Sequence, residues 1–258
     1  MAYKKLKYWF DEELATELAD KILIHFSEFN KSAFVKQISS QIPQQELKDR
    51  IETIADCFHN KLNQDYTFAI TTLLKIIGPE NENETGMFKE YYWIMPIAKY
   101  IEKYGLNDFS VSMNAIEEIT KRNTGEYAIR PYLELYPKKT LGQMKKWSKN
   151  KNKHVRRLAS EGVRPRLPWA SKLRAFIDDP KPIIPILNNL NDDNSKYVQK
   201  SVANCLNDIL KDNLKIGKTI IEDWNQTSIS PERRWIIKHA LRNLIKAEDK
   251  WALSQIRK

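Results

Sequence analysis

Between Lys138 and Arg174 the chain carries thirteen cationic side chains and a single acid, Glu161. A carboxylate in so positive a field stays ionised, and it repels the phosphates that its neighbours attract. Two explanations are open: an internal ion pair with Arg157, four residues earlier on the same helix, or a buried anion aimed at developing positive charge. Just beyond it, RPRLPW (164–169) has two prolines that stop a helix and hold Arg164, Arg166 and Trp169 on a stiff turn. Guanidinium groups suit phosphates, and an indole suits a base or sugar face. Trp169 could equally be a packed ring between repeats, as is expected of Trp147 and Trp224. Two further acids stand where helices would bring them to the same side. Glu126 opens TGEYAIRPYL, with Thr124 as a candidate cap and Tyr127 beside it, and Asp208 in SVANCLNDI lies one repeat after Glu161. Two or three carboxylates converging on an aromatic-lined groove suit glycosidic cleavage, because departure of the base leaves an oxocarbenium-like sugar that anions stabilise. A water must then be oriented and deprotonated.

Other chemistries lack their parts. His25, His59, His154 and His239 have no ligand spacing, and Cys57 and Cys205 lie far apart with no CxxC near them. There is no Walker loop, GxGxxG or GxSxG, so no cofactor and no metal are expected. The cysteine usage fits a reducing, cytoplasmic setting. The start, MAYKKLKYWFDEEL, has no apolar signal region, and no run approaches the ~18 apolar residues of a membrane span.

The 258 residues suffice for a sizeable core, and the seven glycines argue against an all-β fold built on many tight turns. The net charge of +10 is unevenly distributed. Residues 1–120 hold 13 Lys+Arg against 19 Asp+Glu, whereas residues 121–258 hold 30 against 14. Such asymmetry marks either a face for a polyanion, nucleic acid first, or a solvated basic face without a partner.

Four-residue apolar spacing positions these groups on helices. Leu14, Leu18, Ile22 and Phe26 form one stripe in 11–26, and the pattern returns in 31–42, 45–62, 66–77, 90–103 and 108–121, broken at Pro43, Gly78-Pro79 and Gly105. The polar, acidic stretch 78–86 is expected to be an exposed loop. The second half repeats: HVRRLASEG (154–162), YVQKSVANC (197–205) and WIIKHALRN (235–243) align without gaps, each after a helix that ends in a polar turn. The steps, 43 and 38 residues, are close to those of HEAT or armadillo units. The expected fold is all-α, an α-solenoid with a basic concave groove along which Arg157, Lys200 and Lys238 recur; an ordinary helical bundle is the alternative.

TGEYAIRPYL, HVRRLASEGVRPRLPWA (154–170), YVQKSVANCLNDI (197–209) and WIIKHALRNLIK (235–246) together resemble the bacterial alkylpurine DNA glycosylases built from HEAT-like repeats, in the AlkC branch rather than its AlkD relative. The resemblance covers nearly all of the chain. It implies metal-independent removal of cationic alkylated bases such as 3-methyladenine and 3-methylcytosine from double-stranded DNA, without flipping the base out of the duplex. Its catalytic carboxylates would be Glu126, Glu161 and Asp208, with Trp169 and Tyr127 against the lesion nucleotide. Arg156, Arg157, Arg164, Arg166, Lys200 and Lys238 would meet the DNA. Tyr127 stands where the family has a Phe, and Cys205 where it has a polar residue. The chain is expected to be one helical-repeat domain, acidic over 1–120 and basic over 121–258, with no C-terminal immunoglobulin-like domain. A monomer in the bacterial cytoplasm, associated with the nucleoid through DNA, completes the expectation. The rival function is a non-catalytic HEAT-repeat scaffold that binds nucleic acid or an acidic protein.

Overall fold

A computed structural model of the protein describes residues 4–62, 65–84 and 90–257. Among the described residues there are sixteen α-helices, three short 3-10 helices and no strand, so the all-α expectation is met. None of these helices is long and apolar enough to cross a membrane. The chain divides into two compact units, Met1–Pro131 and Tyr132–Lys258. The first carries 16 Lys+Arg and 20 Asp+Glu, the second 27 and 13, so the basic excess resides in the second.

The first unit contains α1 (Glu12–Leu23), α2 (Lys31–Gln41), α3 (Leu47–Leu62), α4 (Tyr66–Leu74), α5 (Met95–Tyr104) and α6 (Phe109–Thr120). The division falls within the short α7 (Arg130–Leu135). Local chemistry sets the helix starts: Asp11, Asn30 and Asp65 accept hydrogen bonds from the backbone N–H groups of Leu14, Ala33 and Phe68. Leu14, Leu18 and Ile22 bury the α1 stripe, while Phe26, past the helix end, lies half-buried edge-on to Phe68. The expected helix over 90–103 begins only at Met95, because Pro96 lacks an N–H and suits a first helical turn. The 78–86 loop is irregular over 78–84 and is tied down: Asn81 is buried, its N–H donating to the Lys121 carbonyl and its side chain to that of Arg122. Residues 85 and 86 of that loop lie outside the described residues.

After α6 the chain turns through Thr124-Gly125-Glu126 close against its own helix. A Cβ on Gly125 would stand 2.7 Å from Ile116 Cγ2 and 2.8 Å from Thr120 Oγ1. Gly125→Ala is therefore expected to cost about 1–3 kcal/mol through overpacking, read as a lower midpoint in chemical denaturation.

The second unit contains α8 (Pro137–Trp147), α9 (Lys153–Glu161), α10 (Arg174–Asp178), α11 (Ile184–Leu190), α12 (Lys196–Asp212), α13 (Leu214–Trp224), α14 (Pro231–Ala240), α15 (Arg242–Lys246) and α16 (Lys250–Arg257). The three aligned segments fall on or begin in α9, α12 and α14, and each follows a partner helix, α8, α11 or α13. The polar turns between partners supply the caps: Asn152, Ser195 and Ser230 accept from the N–H groups of His154, Val198 and Arg233. Central α12 packs against α9 and α14, burying Val198, Val202, Leu206 and Ile209. Each such side chain contributes about 1.5–3 kcal/mol on leaving water, which makes α12 the central packing element of the unit.

Candidate active site

The end of α9 and the middle of α12 meet in a polar layer embedded in this apolar packing. Ser160 and Ser201 share a 2.7 Å hydroxyl–hydroxyl bond across the two helices. Glu161, next after Ser160 at the end of α9, and Asp208, two turns beyond Ser201 on α12, are 5% and 8% exposed. Two acids buried this deeply need compensation, because desolvation disfavours their charged forms.

Arg164 supplies it. Its Nη1 donates to Glu161 Oε1 at 2.8 Å, its Nε to Asp208 Oδ2 at 3.0 Å and its Nη2 to Asp208 Oδ1 at 3.4 Å. One planar guanidinium thus bridges carboxylates from two helices, a geometry that a point-charge ammonium cannot reproduce. Arg157 forms a longer ion pair with Glu161, 3.7 Å, and lies over the Tyr197 ring at 4.7 Å. The Glu161–Arg157 pair inferred as one alternative from the i,i+4 spacing exists, but the closer partner is Arg164.

The two carboxyls differ electrostatically. Burial pushes Glu161 upward, yet Arg157, Arg164 and the Ser201 hydroxyl outweigh it and hold the group below the ordinary glutamate range. Burial dominates at Asp208 and raises it above the ordinary aspartate range, against the pull of Arg164 and the Arg166 backbone, with the Glu161 charge adding to the rise. Arg164 is itself held firmly protonated: burial works against its charge, and Glu161 and Asp208 more than restore it.

The RPR sequence grips α12 with both arginines. Arg164 takes Asp208 and Arg166 takes Asp212, at 2.7 and 2.6 Å, and these two acids lie four residues apart on one face of α12. The Leu173 N–H, donating to the Pro165 carbonyl at 3.1 Å, closes the turn from the other side. On this pinned turn Trp169 is 61% exposed with φ at +65°, a left-handed backbone that is costly for a bulky residue. Trp147 and Trp224, by contrast, are buried core rings, as expected.

Arg156 clamps the neighbouring turns, donating to both Asp193 carboxylate oxygens and to the Asn150 and Lys151 carbonyls. Lys200 and Lys238 are exposed on α12 and α14. Glu126 belongs to the first unit, where it is buried; Thr124 Oγ1 donates to its carboxylate at 2.9 Å and accepts its N–H at 3.2 Å, and Tyr127 beside it is half-buried. Thr124 therefore forms a local turn around Glu126 rather than capping α7.

Several contributors escaped sequence reasoning. Asp212 as the Arg166 partner, and the double engagement of Arg164, had a usable signal in Arg-Pro-Arg facing an Asp-x-x-x-Asp helix. The Ser160–Ser201 contact had none, since two serines 41 residues apart carry no pairing code. A chain of stacked groups was likewise unforeseen: Lys196 lies 3.5 Å over the Trp235 ring, which stacks on His239 at 4.7 Å. Burial, followed by the charges of Arg242, Lys200 and Lys196, lowers the His239 pKa and favours its neutral form. Among the described residues no group of three His, Cys, Asp or Glu side chains could hold a metal ion.

What this arrangement can do chemically is hold two unlike carboxylates against a centre of developing positive charge, one fixed as an anion and the other nearer to accepting a proton. The family model described as DNA alkylation repair enzyme matches residues 32–244. The uncharacterized protein YhaZ of Bacillus subtilis (strain 168) is 38% identical over 250 residues, covering 96% of this chain and 67% of YhaZ. Among solved structures, the alkylpurine DNA glycosylase AlkC of Pseudomonas fluorescens, bound to DNA containing an abasic site analog, superposes with a TM-score of 0.90 at 34% identity, covering 99% of this chain and 69% of that one. With the family model spanning most of its length and an AlkC fold throughout, the chain belongs to the DNA alkylation repair enzyme family, in its AlkC branch.

Proposed function

We propose that this protein is a DNA glycosylase that hydrolyses the N-glycosidic bond of cationic alkylated bases, 3-methyladenine and 3-methylcytosine, in duplex DNA while the lesion nucleotide stays in the duplex. The observation that carries it is the buried Glu161–Arg164–Asp208 bridge in the more basic unit of the chain. A bare pair of acids would repel DNA; a pair braced by a guanidinium inside a cationic surface presents negative charge only at short range. The likeness to a glycosylase structure that holds an abasic site analog supports the same class of reaction.

An alkylated ring nitrogen gives the base a positive charge, so the base departs as a neutral molecule when the C1′–N bond breaks and its electron pair moves onto the base. No general acid is required. What the enzyme must supply is stabilisation of the cationic sugar and a base for the water that adds to C1′. Glu161 and Asp208 suit those duties, Glu126 adds a third carboxylate through the family resemblance, and Trp169, with Tyr127, would meet the lesion nucleotide. Arg157, Lys200 and Lys238 are proposed DNA contacts; Arg156, Arg164 and Arg166 already hold carboxylates and would shape the surface more than they grip phosphate. The protein would act as a monomer in the cytoplasm, on nucleoid DNA.

The test is release of free base from methylated duplex DNA at neutral pH with a chelator present, resolving 3-methyladenine, 7-methylguanine and 3-methylcytosine by chromatography. Release of 3-methyladenine or 3-methylcytosine above the spontaneous rate is expected. Salt-sensitive DNA binding with no release of any base would replace this function with a non-catalytic scaffold.

A further inference from the structure

Arg164 lies in a sequence that suggests phosphate contact, yet its guanidinium faces inward. It is 7% exposed, and its Nε, Nη1 and Nη2 reach two carboxylates on different helices. Its position is over-determined: Pro165 stiffens the backbone after it, Arg166 anchors the turn to Asp212, and Leu173 closes the turn. We infer that Arg164 is a positioning residue that divides the labour of the two carboxylates, holding Glu161 as the standing anion under the sugar and leaving Asp208 as the acceptor of the water proton. This inference rests on the glycosylase function proposed above.

The division follows from the contacts. Glu161 Oε1 receives Arg164 Nη1 and faces Arg157, so two guanidiniums share one carboxylate, with the Ser201 hydroxyl as a further donor. A carboxylate satisfied that fully is a poor proton acceptor and a good fixed charge. Asp208 is hydrogen-bonded by one guanidinium, through Nε and a longer Nη2 contact, and by the Arg166 backbone N–H; the other charges acting there are Glu161, which disfavours a second anion, and the Arg166 and Arg242 guanidiniums, of which Arg166 is already engaged by Asp212. Their directions of shift, Glu161 downward and Asp208 upward, agree with this assignment. In the reaction the water oxygen bonds to C1′, its proton passes to an Asp208 carboxylate oxygen, and that proton later returns to solvent.

The experiment pairs Arg164→Met with Arg164→Lys and uses two readouts on the full chain: side-chain carboxyl titrations by carbon NMR without DNA, and the pH profile of single-turnover base release from methylated duplex. In Arg164→Met both carboxyls should titrate at higher pH, and the acidic limb of base release should move upward by about 1–3 pH units. Arg164→Lys keeps the charge but cannot span both acids, so its limb should return most of the way toward the parent while the plateau rate stays reduced. Should Arg164→Met fail to fold, the Lys variant decides through the opposite pair of results: a full parental plateau overturns the inference. Unmoved titrations and an unmoved pH profile, with only lower thermal stability, would reduce Arg164 to a structural brace. An unchanged turnover rate with weaker DNA binding and a shallower salt dependence would return it to the phosphate backbone. Absence of base release by the parent would overturn the glycosylase function and the duties assigned here, and is distinguishable because the titrations are read without turnover.

Discussion

Asp208→Asn is expected to lower the single-turnover rate of base release by about 10²–10⁴-fold, the usual contribution of a general base. Affinity for abasic DNA should be equal to the parent's or greater, since a buried negative charge has been removed from the more basic unit. Asparagine retains an oxygen that can accept from Arg164 Nε, which makes the 3.0 Å contact at Asp208 Oδ2 the one most easily kept. Loss of rate therefore reports loss of basicity more than collapse of the site. The pH dependence carries the sign. Burial holds the Asp208 carboxyl above the ordinary aspartate range despite Arg164, so excision by the parent should fall as pH drops through that raised value. The variant, having nothing to protonate there, should show a flat profile over the same range. A variant that releases base at the parental rate would remove Asp208 from the reaction.

The largest effect on stability is expected at Glu161. Glu161→Leu deprives Arg164 and Arg157 of a shared counter-charge in a layer where both acids are under 10% exposed. Breaking a buried pair by removing one partner costs about 3–5 kcal/mol, because the surviving charge remains desolvated. For a chain of this length that corresponds to a fall in Tm of roughly 6–20 °C. Glu161→Gln keeps an acceptor oxygen and should lose less stability, while still slowing base release by about 10²–10³-fold through loss of the anion. Acid distinguishes an ionic cause from a packing one. The native carboxyl is held below its ordinary value of 4.5, so its stabilisation is present above pH 4.5 and disappears as pH falls through the lower native value. The Tm gap between parent and Glu161→Leu should narrow over that interval. A gap constant across it would mean that the leucine simply packs badly.

Much of this site is legible in the sequence alone. Glu161 stood out as the one acid in a cationic run, and the three aligned segments placed it and Asp208 on helices of a repeating array. Apolar spacing and capping residues are local signals, because a helix bonds within itself and buries one stripe; hence α1, α2 and α6 lie within a few residues of where periodicity puts them. Which cation would neutralise which acid was a different matter. Arg157 was the natural partner of Glu161 by i,i+4 spacing, and Arg164 the natural phosphate ligand by its place beside prolines. Tertiary packing adds what neither signal holds: the Arg157 pair forms, but the turn after α9 folds onto α12 and delivers Arg164 to Asp208, 44 residues away, and Arg166 to Asp212, 46 residues away. Helix periodicity encodes neighbours three and four residues apart; pairings across 40 residues depend on how helices stack, and only the folded second unit determines them. The same packing sets the two carboxyls apart, since desolvation and the sharing of one guanidinium are properties of a buried layer and have no counterpart in the order of residues.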